Sequence, residues 1–592
     1  MLLLFLLPPV ASECGYYLAP STIPGAGLGM YAGKDVARGD RVTYGDPIVP
    51  LLDINWHNGN EDFYWLWGEY TWEFSQESGK SGAITKAASP GFGSVPNCMV
   101  GLINTELAAP QRGSGGLHRS RDPGAGAFTP YHDRAATATR PIHAGDEFFV
   151  DYGDHYFTLR EKAYGQVPVR SSYKLADKLL ERFGRFYDRV LKDTYSWQLK
   201  NDLWAIMTSL DARTINALPK NLTDTPKALT TGTGRLYEDR SRRSLKWLAK
   251  HGKCMDNIRN GNSAIPQAGR GAFATRRIKK GGLVAPAPLI HIPDKKTTII
   301  YDTMSMTGPI HEDENYMRRN ASAPIHSQLL MNYCFGHPKS DVLLCPYGVV
   351  VSLVNHSPTA ANTKIVWSNS MRHSEWFEKP PKTMEEALHT GLSFDFVALR
   401  NIELGEEILI DYGPEWQAAW DDHVRSWKPP VGARKYIESY LLNDVYVDLR
   451  LPTIAEGGFP DHLIVWIHGG YMELAGYGPA PEFVRAQILD RHVGKYGEYR
   501  YRVQSFEAED NLDAKTTIRL GPMMWSLPRD AFYFKDSPYS RDHEMPWSFR
   551  HYIGIPDEIF PDVWKRPEAI TTPSAMSMPG NKTESTECGS VV

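Results

Sequence analysis

The sequence predicts an α+β chain, mainly β: two copies of one β module joined by helices, followed by a mixed or β accessory domain. Three observations predict it. A glycine-marked pattern occurs twice, an amphipathic run separates the copies, and aromatic and β-branched runs fill the region beyond the second. The 592 residues allow three or four domains, and an apolar share of 42% is enough to build real cores. A formal net charge of −4, with no long block of Lys or Arg, lacks the electrostatic footprint of a nucleic-acid binder.

Taken in order, Leu2 to Leu7 is an apolar run and Val10-Ala11-Ser12 could precede a cleavage site. Residues 1–15 therefore read as a short signal peptide, a buried first strand, or the product of a misplaced start codon. The first module spans 16–165. It opens with Pro24-Gly25-Ala26-Gly27-Leu28-Gly29-Met30-Tyr31-Ala32 and then Val36 to Val42, a pattern repeated from Pro266 through Gly269, Arg270 and Gly271 to Ile278 and Val284. It closes with Ile142 to Gly153, which parallels Ile402 to Gly413, and duplication explains this order better than chance. Gln111 to Ala127, rich in Gly, Arg and Ser, reads as a loop rather than packed structure.

Residues 166–250 read as a helical linker. Leu175, Leu179, Leu180, Phe183, Phe186, Val190 and Leu191 recur at helical spacing, which predicts one or two amphipathic helices from Ser172 to about Leu210. A short helix is expected near Ser244 to Lys250. The second module, 251–425, contains two apolar runs that read as buried strands: Val349 to Val354, delivering Asn355 and His356, and Ile408 to Ile410, delivering Asp411 and Tyr412. Polar side chains at strand ends can hydrogen-bond a ligand. The accessory domain covers 426–567, with strand-like runs at Leu463 to Ile467, Tyr499 to Val503 and Thr517 to Leu520; residues 568–592 are Pro-, Ser- and Thr-rich and predicted disordered. No stretch approaches the roughly 18 apolar residues of a membrane span.

In their order, Gly269-Arg270-Gly271, Ser352-Leu353-Val354-Asn355-His356-Ser357 and Gly405-Glu406-Glu407-Ile408-Leu409-Ile410-Asp411-Tyr412-Gly413 resemble the three signatures of the SET-domain protein lysine methyltransferases. The resemblance implies S-adenosylmethionine as cofactor, a lysine-containing protein as substrate, and two SET-like modules whose segments thread past one another in a knot-like way. It makes Tyr412 the catalytic residue. Gly269, Arg270, Gly271, Asn355 and His356 would hold the cofactor, the glycines letting the backbone approach it closely. Ile410 and Trp416 would line the substrate channel, with Trp420 beside them. Ile410 has no hydroxyl to hold a blocking water, so a di- or trimethylated product is expected.

The departures also carry information. Pro358 stands where many members have a zinc-binding cysteine, Cys588 has no neighbouring partner, and Asn362 falls one residue late. These features predict no metal site and favour the non-histone branch of the superfamily. The six cysteines are too sparse for a disulfide-rich scaffold and show no C-x-x-C spacing. In the first copy Asn104-Thr105-Glu106 stands in for Asn355-His356-Ser357, so that copy looks degenerate, a scaffold or a substrate-docking partner, the alternative being a second active site. The alternative reading of the whole chain is a SET-type binding or scaffold protein without catalysis. Val465 to Gly470 resembles a hydrolase oxyanion loop without the G-x-S-x-G elbow that must follow, and Ser78 to Ser81 resembles a P-loop without its first glycine. Asn221, Asn320, Asn355 and Asn581 all head glycosylation acceptor triplets, and the apolar start tips the compartment towards the secretory pathway over the cytoplasm.

Overall fold

The computed structural model describes residues 14–52, 70–73, 86–186, 197–207, 211–305, 317–369, 374–385, 387, 390–509, 517–537 and 540–566. The expectations for residues 1–13, for Ser78 to Ser81 and for the tail from 568 lie outside them. The fold is mixed, with strands the larger share.

In the amino-terminal half, Tyr16–Pro20 and Leu28–Ala32 form an antiparallel hairpin whose turn uses Gly25 and Gly27 at φ of 80° and 71°, a conformation suited to glycine. Lys253–Cys254, from the far end of the linker, adds a third strand, with Cys254 opposite Tyr17. Cys14 and Cys254 are disulfide-bonded there, Cα atoms 5.8 Å apart. Cys334 and Cys345 form a second bridge. The cysteines are few, yet four of the six pair.

The second half holds two larger sheets beside the antiparallel pair Ile299–Ser305 and Met317–Ser327. One runs in the order Ile258–Asn262, Arg270–Ala274, Glu407–Ile410, Asn355–His356, the last pair parallel. The other runs Thr363–Trp367, Ser393–Ala398, Leu283–Ile292, Leu343–Pro346, Phe335–Gly336, Ile553–Gly554, its last pair also parallel. One apolar core serves both halves, joining Tyr16, Met30 and Phe148 to Ile258, Phe394, Ile410 and Trp564.

Between the halves, helix Arg170–Phe186 buries Ser172, Ala176, Leu180 and Phe183 on one face. Leu175, expected on that face, is exposed. Helix Leu245–His251 starts at Ser244, whose hydroxyl accepts from the Trp247 N–H at 3.2 Å. Beyond the second half, Thr517–Leu527, Tyr499–Glu509, Phe483–Val493, Leu463–His468 and Phe532–Asp536 make a five-stranded antiparallel sheet with a core of its own around Ile467, Val503 and Phe534. The chain then returns. Residues 540–566 cross back over the second half, where Ile553–Gly554 pairs with Phe335–Gly336 and Trp564 is buried.

One expected strand is absent. Val349 to Val354 forms a tight turn, with a 3-10 segment at Val351–Leu353 and Val350 at φ 64°. A β-branched residue in the left-handed region is strained by on the order of 1–3 kcal/mol, which the surrounding core must offset. Val349, Val350 and Val351 are all buried, so the apolar run reports burial and not strand geometry.

Candidate active site

Asn355 and His356 follow that turn as a two-residue strand lying parallel to Glu407–Ile410, with Asn355 opposite Leu409 and His356 opposite Ile410. The Asn355 amide donates to the Arg270 carbonyl at 2.8 Å and to Glu407 Oε1 at 3.0 Å, tying the three signature segments together. His356 Nδ1 accepts the Tyr412 backbone N–H at 2.9 Å, so its proton sits on Nε2, which donates to Gln417 Oε1 at 2.8 Å. The Gln417 amide nitrogen in turn donates to Asp421 Oδ1 at 2.8 Å, which fixes its orientation. The Tyr412 hydroxyl donates to the Val354 carbonyl at 2.6 Å, and burial pushes the phenol well above its ordinary range.

These residues face one cavity of about 340 Å³. Arg270, Asn355, His356, Tyr412, Trp416 and Trp420 all line it. The rings touch: His356 lies 5.1 Å from Tyr412 and 4.8 Å from Trp416, Trp416 stacks on Trp420 at 5.9 Å, and Phe549 closes edge-on against both tryptophans. Arg270 donates to the Gly113 carbonyl at 3.0 Å and has no carboxylate within ion-pairing distance among the described residues. Burial pulls its guanidinium below the usual range. A half-buried cation with Asp133 nearby but no carboxylate in direct contact, set in an aromatic cavity, fits an anionic or zwitterionic ligand of moderate size.

Three expected placements differ. Ile410 is buried beside this cavity but lines a separate void of about 10 Å³, with Tyr333, Val354 and Ile553. A Cβ on Gly271 would sit 2.3 Å from Glu407 Oε1, so that glycine makes room for the carboxylate that holds Asn355. Gly269, at φ 68°, is covered by Phe128, whose Cζ would lie 2.4 Å from an added Cβ. The glycines therefore admit protein groups to this backbone.

Sequence reading missed Phe128, Thr129, Tyr131 and His132 of the amino-terminal half and Phe549 of the returning segment, all on the cavity wall. None stands at a recognisable distance from a signature, so no local pattern pointed to them.

The expected alignment of the first half with the second also needs correcting. Asn104 donates to the Glu147 carbonyl and accepts from the Phe149 N–H, at 2.9 and 2.8 Å, while Asn362 makes the same pair of bonds to Glu407 and Leu409, at 2.7 and 2.9 Å. Asn104 thus matches Asn362 and not Asn355. The residue placed like Asn355 is Asn97, which bridges in parallel to Phe149 and donates to the Leu28 carbonyl at 2.8 Å. Cys98 then stands where the second half has His356; it is buried against Phe157 and Val169, and burial pushes its thiol up to about 12. Glu106, expected near a cofactor pocket, is exposed and accepts from Thr137.

Among solved structures, a candidate histone methyltransferase of Plasmodium falciparum is 20% identical over 27% of this chain and 96% of its own, with a TM-score of 0.16. CpSET8 from Cryptosporidium is 15% identical over 41% of this chain and 96% of its own, with a TM-score of 0.15. No curated protein matches the chain. Residues 269–413, the segment that brings Asn355, His356 and Tyr412 together, match the SET domain family.

Proposed function

We propose that this protein transfers methyl groups from S-adenosylmethionine to lysine side chains of a non-histone protein. The observation that carries the reading is the meeting of Arg270, Asn355, His356 and Tyr412 on one aromatic cavity. The cofactor would supply an electrophilic methyl group on a sulfonium centre, and the chain's residues would do the rest. Arg270 offers a charge partner for a carboxylate, and the hydrogen-bonded Asn355 and His356 keep the wall in place. A lysine amine at pH 7.4 lies about three units below its ordinary pKa, which costs roughly 4 kcal/mol to make neutral. An apolar wall of Trp416, Trp420 and Tyr412 disfavours the ammonium form, and their faces tolerate the cationic product. Tyr412 is the proposed catalytic residue, its buried phenol oxygen orienting the amine.

The matching bonds of Asn97 and Asn355, of Asn104 and Asn362, and of Tyr152 and Tyr412 support a duplicated module whose first copy has lost its histidine. The two disulfides fit an oxidising compartment and so a secretory route.

A second reading, a SET-type binding protein without turnover, is favoured by one observation: Ile410, expected in the substrate channel, lines a separate void of about 10 Å³ and not the cavity. Calorimetry with S-adenosylmethionine, followed by mass spectrometry of a peptide library, separates the readings. Binding with methylated product is the expected result. Binding without product supports the second reading, and no binding at tens of micromolar sinks the first.

A further inference from the structure

Five polar contacts stitch residues 113–132 of the amino-terminal half to the cavity wall of the second. Gln267 accepts from the Gly124 N–H at 3.0 Å and donates to Asp122 at 3.3 Å. Arg270 donates to the Gly113 carbonyl at 3.0 Å, Asn332 donates to the Ala127 carbonyl at 2.7 Å, and the Tyr333 hydroxyl accepts from the Thr129 N–H at 2.8 Å. Gln267, Arg270, Asn332 and Tyr333 all line the cavity, so its polar wall residues spend bonds on this segment. The Gly-, Arg- and Ser-rich stretch is the irregular loop expected, and these contacts order it against the second half. Its path leads Phe128 onto the backbone of Gly269 and His132 to the boundary between this cavity and an open groove of about 620 Å³, which both His132 and Arg270 also line.

A ligand approaching the Gly269 backbone would meet an aromatic ring in place of a bare peptide. A ring presents a flat apolar face, and its natural complement is the planar heteroaromatic part of a ligand. We infer that the amino-terminal half completes the cavity of the SET segment, with Phe128 a specificity-determining face for the planar base of the cofactor and His132 a side wall. This inference rests on the methyltransferase reading of the same cavity. It gives the degenerate half a direct part in ligand binding, beyond that of a scaffold.

Calorimetric titration of the full chain with S-adenosylmethionine tests it, using wild type, Phe128→Ala, Phe128→Leu, Phe128→Tyr and His132→Ala. Loss of a stacking face should weaken binding about tenfold in Phe128→Ala and about fivefold in Phe128→Leu, which keeps most of the apolar volume if the alanine variant fails to fold. Phe128→Tyr should bind within about twofold of wild type, and His132→Ala should be several-fold weaker, while the thermal midpoints of Phe128→Tyr and His132→Ala stay near that of wild type. A purely structural role would move the midpoint and leave the affinity of the folded protein alone. Wild-type affinity in Phe128→Leu overturns this inference and leaves the methyltransferase reading standing. No binding by wild type overturns both.

Discussion

Tyr412 has one observed role, a hydrogen bond in the fold, and one proposed role, in catalysis, and substitution can separate them. Its hydroxyl donates to the Val354 carbonyl, and in the other half the Tyr152 hydroxyl donates to the Pro96 carbonyl at 3.0 Å. Removing either oxygen leaves a carbonyl unpaired, at about 1–2 kcal/mol of stability. Only Tyr412 faces the cavity. Tyr412→Phe and Tyr152→Phe should therefore lose similar unfolding free energy in urea, while turnover falls on the order of a hundredfold in Tyr412→Phe alone. A large loss of turnover in Tyr152→Phe would show that the first half holds a working site. Gln417 acts at one remove: by accepting from Nε2 it holds the His356 ring in a single tautomer. Gln417→Ala is expected to weaken cofactor binding by about fivefold, the worth of one orienting hydrogen bond, and an unchanged dissociation constant would remove that role.

The contact between the segment near 112–119 and the accessory sheet is built from charge. Arg119 pairs with Asp542, Arg112 lies 3.5 Å from Asp536, and Glu438 is buried beside them with Oε2 unpartnered. Burial pushes the Glu438 carboxyl up to about 7, against the pull of Arg112. Between the ordinary carboxylate range and pH 7 the folded chain keeps a proton that the unfolded chain has released. That contribution is complete at low pH and is lost as pH rises through 7. Glu438→Gln stays neutral throughout, so it should be more stable than wild type at pH 8 by up to about 3 kcal/mol, with the gap closing towards pH 4. Denaturant midpoints across that range would check it, and a gap that widens at low pH would contradict it. Elements of this kind were unevenly legible in the sequence. Ile408 to Ile410 could be placed in a strand because its run ends in polar Asp411 and Tyr412. Val349 to Val354 looked alike, yet a left-handed Val350 turns it, and no apolar pattern encodes that. The expected alignment of the two halves failed for a similar reason. Asn104-Thr105-Glu106 imitates Asn355-His356-Ser357 more closely than Asn97-Cys98 does, and only the bonding partners tell them apart.

At the scale of the molecule, the signatures revealed which segment carries the site but not that the cavity is assembled from three parts of the chain, because Phe128 and Phe549 reach it through tertiary packing alone. Two of those parts are also joined covalently. Cys14–Cys254 closes 240 residues of chain and fastens the first strand of one half to the entry of the other, where Asp256 accepts the Gly15 N–H at 2.7 Å and pairs with Arg276 at 2.8 Å. A crosslink across so long a loop restricts the unfolded chain strongly, and in native proteins its removal costs about 2–5 kcal/mol. A secretory history would favour its formation and would expose Asn221 and Asn355 alike to glycosylation before folding. Once folded, Asn355 is held by Arg270 and Glu407 whereas Asn221 is exposed, so glycopeptide mapping of protein from its native source should find a glycan at Asn221 and none at Asn355. The paired change Cys14→Ser with Cys254→Ser should lower unfolding free energy by about 2–5 kcal/mol. It should also weaken cofactor binding, because the amino-terminal wall would no longer be tethered at its root. Loss of stability with full affinity would show that the polar contacts of residues 113–132 hold the wall by themselves. No loss of stability, together with free thiols at Cys14 and Cys254 in the native protein, would refute the crosslink.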